Sequence, residues 1–113
     1  MKEKILIMDD EPLVLAAMEK ALSRVGYAVT AVSNLPKYKK ALGEEEFDLA
    51  ILDLHLPDAE VENLVKEAVK KNPAMKFIYV SGADSYLESK NFLQKPFRIE
   101  ELRRLVRTAL DEP

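Results

Sequence analysis

The chain has 113 residues, 48% apolar and 33% charged, which is enough for one compact core and leaves no room for a second domain of ordinary size. Seventeen basic against twenty acidic side chains leave a formal charge of −3, so the basic field of a nucleic-acid binder is missing and no direct contact with DNA or RNA is expected. There is no cysteine, which excludes disulfides, thiolate metal sites and thiol catalysis; no apolar run approaches the roughly 20 residues that span a bilayer, and a cytoplasmic home without membrane attachment is expected.

Taken in chain order, Ile5 to Met8 is an unbroken apolar run that stops at Asp9-Asp10-Glu11-Pro12, the pattern of a strand buried on both faces. Val14, Met18, Ala21, Leu22 and Val25 follow at helical spacing, with Pro12 in the first turn and Gly26 as the stop. Ala28 to Val32 reads as a second strand. Ser33 or Asn34 then caps a helix carrying Leu35, Tyr38, Ala41 and Leu42 inward, ended by Gly43. Phe47 to Leu52 repeats the first strand's pattern and also stops at a carboxylate, Asp53. From Asp58 as cap, Val61, Leu64, Val65, Ala68 and Val69 form the stripe of a third helix, which ends before Asn72-Pro73. Phe77 to Val80 is a fourth strand stopping at Ser81-Gly82. Asn91 to Gln94 is a weak fifth, followed by Lys95-Pro96, and the last helix carries Ile99, Leu102, Leu105, Val106, Ala109 and Leu110.

Short apolar strands alternating with amphipathic helices imply right-handed crossovers, a parallel sheet and helices on both faces, all within one domain over residues 1–113. One connection is too short for this rhythm. Nine residues separate Ser81 from Asn91, while a crossover holding a full helix needs a dozen or more, so a helix between the fourth and fifth strands should be shortened or absent.

In an open parallel sheet, ligands bind beyond the carboxyl ends of the strands. Here four of the five strands deliver polar groups there: Asp9 and Asp10, Asp53, Ser81 and Lys95. Singly, each has an ordinary reading as a helix cap, a strand terminator, a turn residue or solvated surface. Together, three carboxylates gathered at one edge repel one another, and a divalent cation relieves that; magnesium suits a few carboxylate oxygens plus water and phosphate oxygens.

The set also resembles a known family, the receiver domains of two-component response regulators. Asp9-Asp10-Glu11 after the first strand, Asp53 after Ile51-Leu52 and before Leu56-Pro57, Ser81-Gly82 after the fourth strand and Lys95-Pro96-Phe97 before the last helix occur in that family's order, over almost the whole chain. The resemblance implies a flavodoxin-like, doubly wound five-stranded parallel sheet of order 2-1-3-4-5. It implies that Asp53 takes a phosphoryl group from a sensor histidine kinase or a histidine phosphotransfer protein. By the same resemblance Mg2+ is held by Asp10, by Asp9 through water, by Asp53 and by the main-chain carbonyl of His55. The resemblance further implies that Ser81 hydrogen-bonds one phosphoryl oxygen, that Lys95 pairs with another, that the Lys95-Pro96 bond is cis and that Phe92 takes the place of the aromatic that rotates when the serine moves; the other reading of Phe92 is ordinary core packing of an aromatic on a strand.

His55, the only histidine, is read as an exposed loop residue in preference to a gate for water, and the stripe of the last helix as core contact. Two departures stand out: the short connection before the fifth strand, which removes the usual partner surface of the family, and the absence of glycine between Asp53 and Ser81. Two other functions fit parts of the pattern. An aspartyl-phosphate phosphohydrolase usually has a second acid two residues after its nucleophile, where His55 stands. A phosphorylation-independent adaptor would have no use for the full acidic set. The reading retained is a phosphoacceptor switch, not an enzyme with an external substrate, whose output domain or protein partner is not named by the sequence.

Overall fold

The computed structural model describes residues 2–82 and 91–113. Its described elements run β1 (Lys4–Met8), α1 (Pro12–Ser23), β2 (Ala28–Val32), α2 (Leu35–Glu44), β3 (Leu49–Asp53), α3 (Val61–Lys71), β4 (Lys76–Ser81), β5 (Phe92–Gln94) and α4 (Ile99–Asp111). The five strands form one sheet of order β2-β1-β3-β4-β5, with every pair parallel. This is the expected flavodoxin-like order. The expectation of a shortened helix between β4 and β5 falls on residues 83–90, outside the described residues.

Strand periodicity divides the core into two layers. Ile5, Ile7, Leu49, Ile51, Ile78, Val80 and Leu93 face one side, where Met18, Ala21 and Leu22 of α1 and Leu102, Val106 and Ala109 of α4 cover them. Leu6, Met8, Ala50 and Leu52 face the other, against Tyr38, Ala41 and Leu42 of α2 and Leu64 and Ala68 of α3. Both faces of β1 and β3 are therefore buried, which explains their continuous apolar runs. The Tyr38 hydroxyl donates to the Leu64 carbonyl at 2.7 Å, so the one polar atom that α2 buries here is satisfied by α3.

Of the two cap candidates for α2, Asn34 fills the position, accepting from the Lys37 N–H at 3.0 Å. Several local expectations need correction. Gly43 does not end that helix, which continues to Glu44; the glycine lacks the positive φ of a helix stop, whereas Gly26, at φ 101°, has it and closes the turn after α1. Asp58 does not cap α3, whose first residue is Val61; its carboxylate instead accepts from the Leu35 N–H at 3.0 Å and ties the loop after β3 to the start of α2. Val25 is half exposed because α1 ends at Ser23, before the apolar stripe can include it, and Ile99 is exposed as the first residue of α4.

Candidate active site at the carboxyl rim of the sheet

Residue parity sets the arrangement of the rim. In β1 the odd-numbered Ile5 and Ile7 face the α1/α4 layer, in β3 Leu49 and Ile51 do, and Leu93 of β5 does too; Asp9, Asp53 and Lys95 continue those three series onto one side of the sheet. Met8 pairs in register with Leu52, so Asp9 and Asp53 stand at the same level on neighbouring strands. Ser81 pairs with Gln94, one residue before Lys95. Main-chain bonds extend the ladders into the rim: Asp9 N–H to Val32 O at 3.2 Å, Leu54 N–H to Val80 O at 2.9 Å and Lys95 N–H to Ser81 O at 2.6 Å. The Lys95-Pro96 bond is cis.

The two strand-end aspartates use the same local device. Asp9 Oδ1 accepts from the Glu11 N–H at 2.9 Å, and Asp53 Oδ1 accepts from the His55 N–H at 2.9 Å, each bridging to the second residue on. This fixes both carboxylates and leaves their second oxygens turned toward Lys95. The Lys95 ammonium lies 2.9 Å from Asp9 Oδ2, 3.3 Å from Asp53 Oδ2 and 2.6 Å from Glu11 Oε1. Asp10 is exposed, yet Asp9, Asp10 and Asp53 each offer an oxygen within 4.8 Å of the others. The side chain of His55 is exposed, as expected.

The charges do not balance. Asp9 and Ser81 are fully buried and Asp53 is nearly so. Two unit charges about 5 Å apart repel by roughly 3 kcal/mol at an effective dielectric of about 20, and one lysine cannot offset four carboxylates. Burial pushes the Asp9 carboxyl above its ordinary value, against the opposing pull of Lys95 and the Glu11 N–H. For Lys95, burial alone would lower the value, but the close contacts with Glu11 and Asp9 and the charges of Asp9 and Asp53 together raise it, so the ammonium stays protonated.

Two buried oxygens also lack an aligned donor or acceptor among the described residues, Asp9 Oδ2 and Ser81 Oγ. Asp9 Oδ2 is close to the lysine but off the direction a hydrogen bond needs. An all-oxygen cluster of excess negative charge, with one unsatisfied carboxylate oxygen, fits a hard divalent cation. The unsatisfied serine hydroxyl belongs to the last residue of β4, the strand next to β3.

Of the residues expected at this rim, the structure brings Asp9, Asp10, Asp53 and Lys95 together and places Ser81 at the end of the adjacent strand β4, where its side chain continues the Phe77 and Tyr79 series on the other face of the sheet. The sequence reading missed the part of Glu11, which was legible only as the third acid of a run. No spacing rule says which acid in such a run reaches a lysine 84 positions away.

The sequence pattern described as response regulator receiver domain matches residues 5–107. The chain is 33% identical over 117 residues to the response regulator protein PilR of Pseudomonas aeruginosa, covering 96% of this chain and 26% of that one. It is 30% identical to the DNA-binding transcriptional regulator NtrC of a Bradyrhizobium species, over 96% of this chain and 24% of the relative. The chain spans about a quarter of the length of these curated relatives. Among solved structures it is similar to a CheY-like receiver domain protein from Methanospirillum hungatei, with a TM-score of 0.85, 29% identity and coverage of 98% of this chain and 95% of that one. A receiver protein from Sinorhizobium medicae gives 0.83 and 27%, over 97% and 95%. With matching sequence pattern, strand order and acidic rim, the chain belongs to the receiver domain family of two-component response regulators.

Proposed function

We propose that this chain, read as one receiver domain over residues 1–113, accepts a phosphoryl group on Asp53 and signals through the conformational change that follows. The observation that carries the reading is the convergence of Asp53 Oδ2 with the Lys95 ammonium at 3.3 Å, beside two further aspartates. In the step itself an Asp53 carboxylate oxygen attacks phosphorus. The bond from phosphorus to the donor's imidazole nitrogen breaks, and its electron pair stays on that nitrogen, which takes up a proton.

Asp10, Asp9 through water, Asp53 and the His55 carbonyl would hold Mg2+, which when bound supplies positive charge to the phosphoryl oxygens. Lys95 neutralises a further oxygen and Ser81 donates to another. The product carries a charge of about −2 in place of −1, by analogy with a phosphate monoester, and the surrounding donors must move toward it. Ser81 would move first. Phe92, half-buried on β5 in register with Tyr79, is positioned to follow the space it vacates.

The phosphodonor would be a sensor histidine kinase or histidine phosphotransfer protein, met in the cytoplasm. The chain itself turns over no external substrate beyond gaining and losing its own phosphate. Its output would lie in another domain or protein, as the greater length of its relatives suggests. Direct contact of this domain with nucleic acid or membrane is not part of the proposal; no helix among the described residues is long and apolar enough to cross a bilayer. Incubation with Mg2+ and a small acyl phosphate should add one phosphoryl group, as read by intact-mass spectrometry, and Asp53→Asn should abolish the addition. Labelling retained by that variant would overturn the assignment.

A further inference from the structure

Glu11 makes the shortest contact between side chains at the rim among the described residues and has no part in the reading above. Three carboxylates surround the Lys95 ammonium, Glu11 at 2.6 Å, Asp9 at 2.9 Å and Asp53 at 3.3 Å; Glu11 and Asp53 accept hydrogen bonds from it, and Asp9 is held as an ion pair. Glu11 lies outside the trio of carboxylates close enough to share a cation.

The three carboxylates differ in what they fall back on if the lysine turns away. The side chains of Asp9 and Asp53 are 0% and 4% exposed, and that of Glu11 is 58% exposed. A buried carboxylate deprived of its counter-ion suffers a large desolvation penalty, while an exposed one is resolvated at little cost. When a new oxygen on Asp53 demands one of the lysine's donors, Glu11 is the partner that can release it.

We propose that Glu11 is a positioning residue that holds the Lys95 ammonium at the rim before phosphorylation and competes with the incoming phosphoryl oxygen for it. The inference rests on the receiver reading and adds a restraint to it: an exposed acid beside the site that opposes occupancy. Its backbone is fixed by the bond from its N–H to Asp9 and by Pro12 after it, so release requires only side-chain rotation.

The test uses the full chain at saturating Mg2+, with beryllofluoride as the phosphoryl mimic. Glu11→Gln should bind beryllofluoride about three- to tenfold more tightly than the unchanged chain, the range expected for removing one partly exposed charged competitor. Mg2+ measured alone should bind this variant no more tightly, because the rim has lost a negative charge. In the unchanged chain, the carboxyl carbon resonance of Glu11 should move on adding Mg2+ with beryllofluoride toward the position of a solvated glutamate. Unchanged or weaker beryllofluoride binding by Glu11→Gln, or an unmoved Glu11 resonance, overturns the inference alone. A parent chain that neither binds beryllofluoride nor takes a phosphoryl group overturns the receiver reading and the inference with it.

Discussion

The two rims of the sheet hold similar charges in opposite settings. At the carboxyl rim Lys95 faces Asp9, Glu11 and Asp53, and two of those acids are buried. At the amino rim Arg107 forms a paired contact with Glu3, both bonds at 2.9 Å, and reaches Asp111 at 2.8 Å and the Tyr27 hydroxyl at 3.3 Å, with Arg107 and Asp111 exposed and Glu3 and Tyr27 half-buried. Water screens the second cluster, and each of its members can lose its partner cheaply. The first has no such screen, so its imbalance persists until a cation or a protonation relieves it. Burial, more than the number of charges, separates a ligand site from a surface tie.

Cation addition should give the largest difference between the rims. Mg2+ at a hundredfold excess over its dissociation constant should raise the unfolding free energy by about 2.7 kcal/mol in urea titrations. Asp10→Asn should lose most of that gain while Arg107→Gln keeps it. Equal gains in the two variants would remove the contrast.

A smaller effect of opposite sign is expected with chelator present. The folded Asp9 carboxyl titrates above its ordinary value of 3.8, so its contribution to stability is complete below that value and is lost as pH rises through the raised one. At neutral pH the ionised Asp9 is therefore a burden, and Asp9→Asn should stabilise the cation-free chain by an amount on the order of 1 kcal/mol. Lys95 retains Glu11 and Asp53 in that variant, so no buried cation is orphaned. A destabilised Asp9→Asn would mean that the lysine needs all three acids. The smallest effect belongs to Arg107→Gln, whose loss of stability should fade in 1 M salt, where the screening length is about 3 Å; a loss indifferent to salt would show packing at work in place of charge.

How much of this was legible in the sequence depended on the range of the interaction. The abrupt change from Met8 to Asp9 and from Leu52 to Asp53 marks the end of a doubly buried strand, and parallel topology brings such ends to one rim; that much follows from local patterns. The residues that read differently in the fold take their roles from partners distant in sequence. Asp58 has the chemistry of a cap but serves the amide of Leu35, and Glu11 looks like a solvated acid but meets Lys95. Val25 continues the periodic stripe of α1 on paper, while the helix has already ended in a turn around Gly26. Periodicity reports which face a helix buries, and not where the helix stops.

The described ends of the chain share one pole. Glu3 is paired to Arg107 of α4, and the Lys76 ammonium, at the start of β4, donates to the carbonyl of Pro113 at 3.2 Å. A tether, tag or fused module joined near either end would thus leave from the side opposite Asp53. An immobilised or fused version of the chain should leave the carboxyl rim unobstructed.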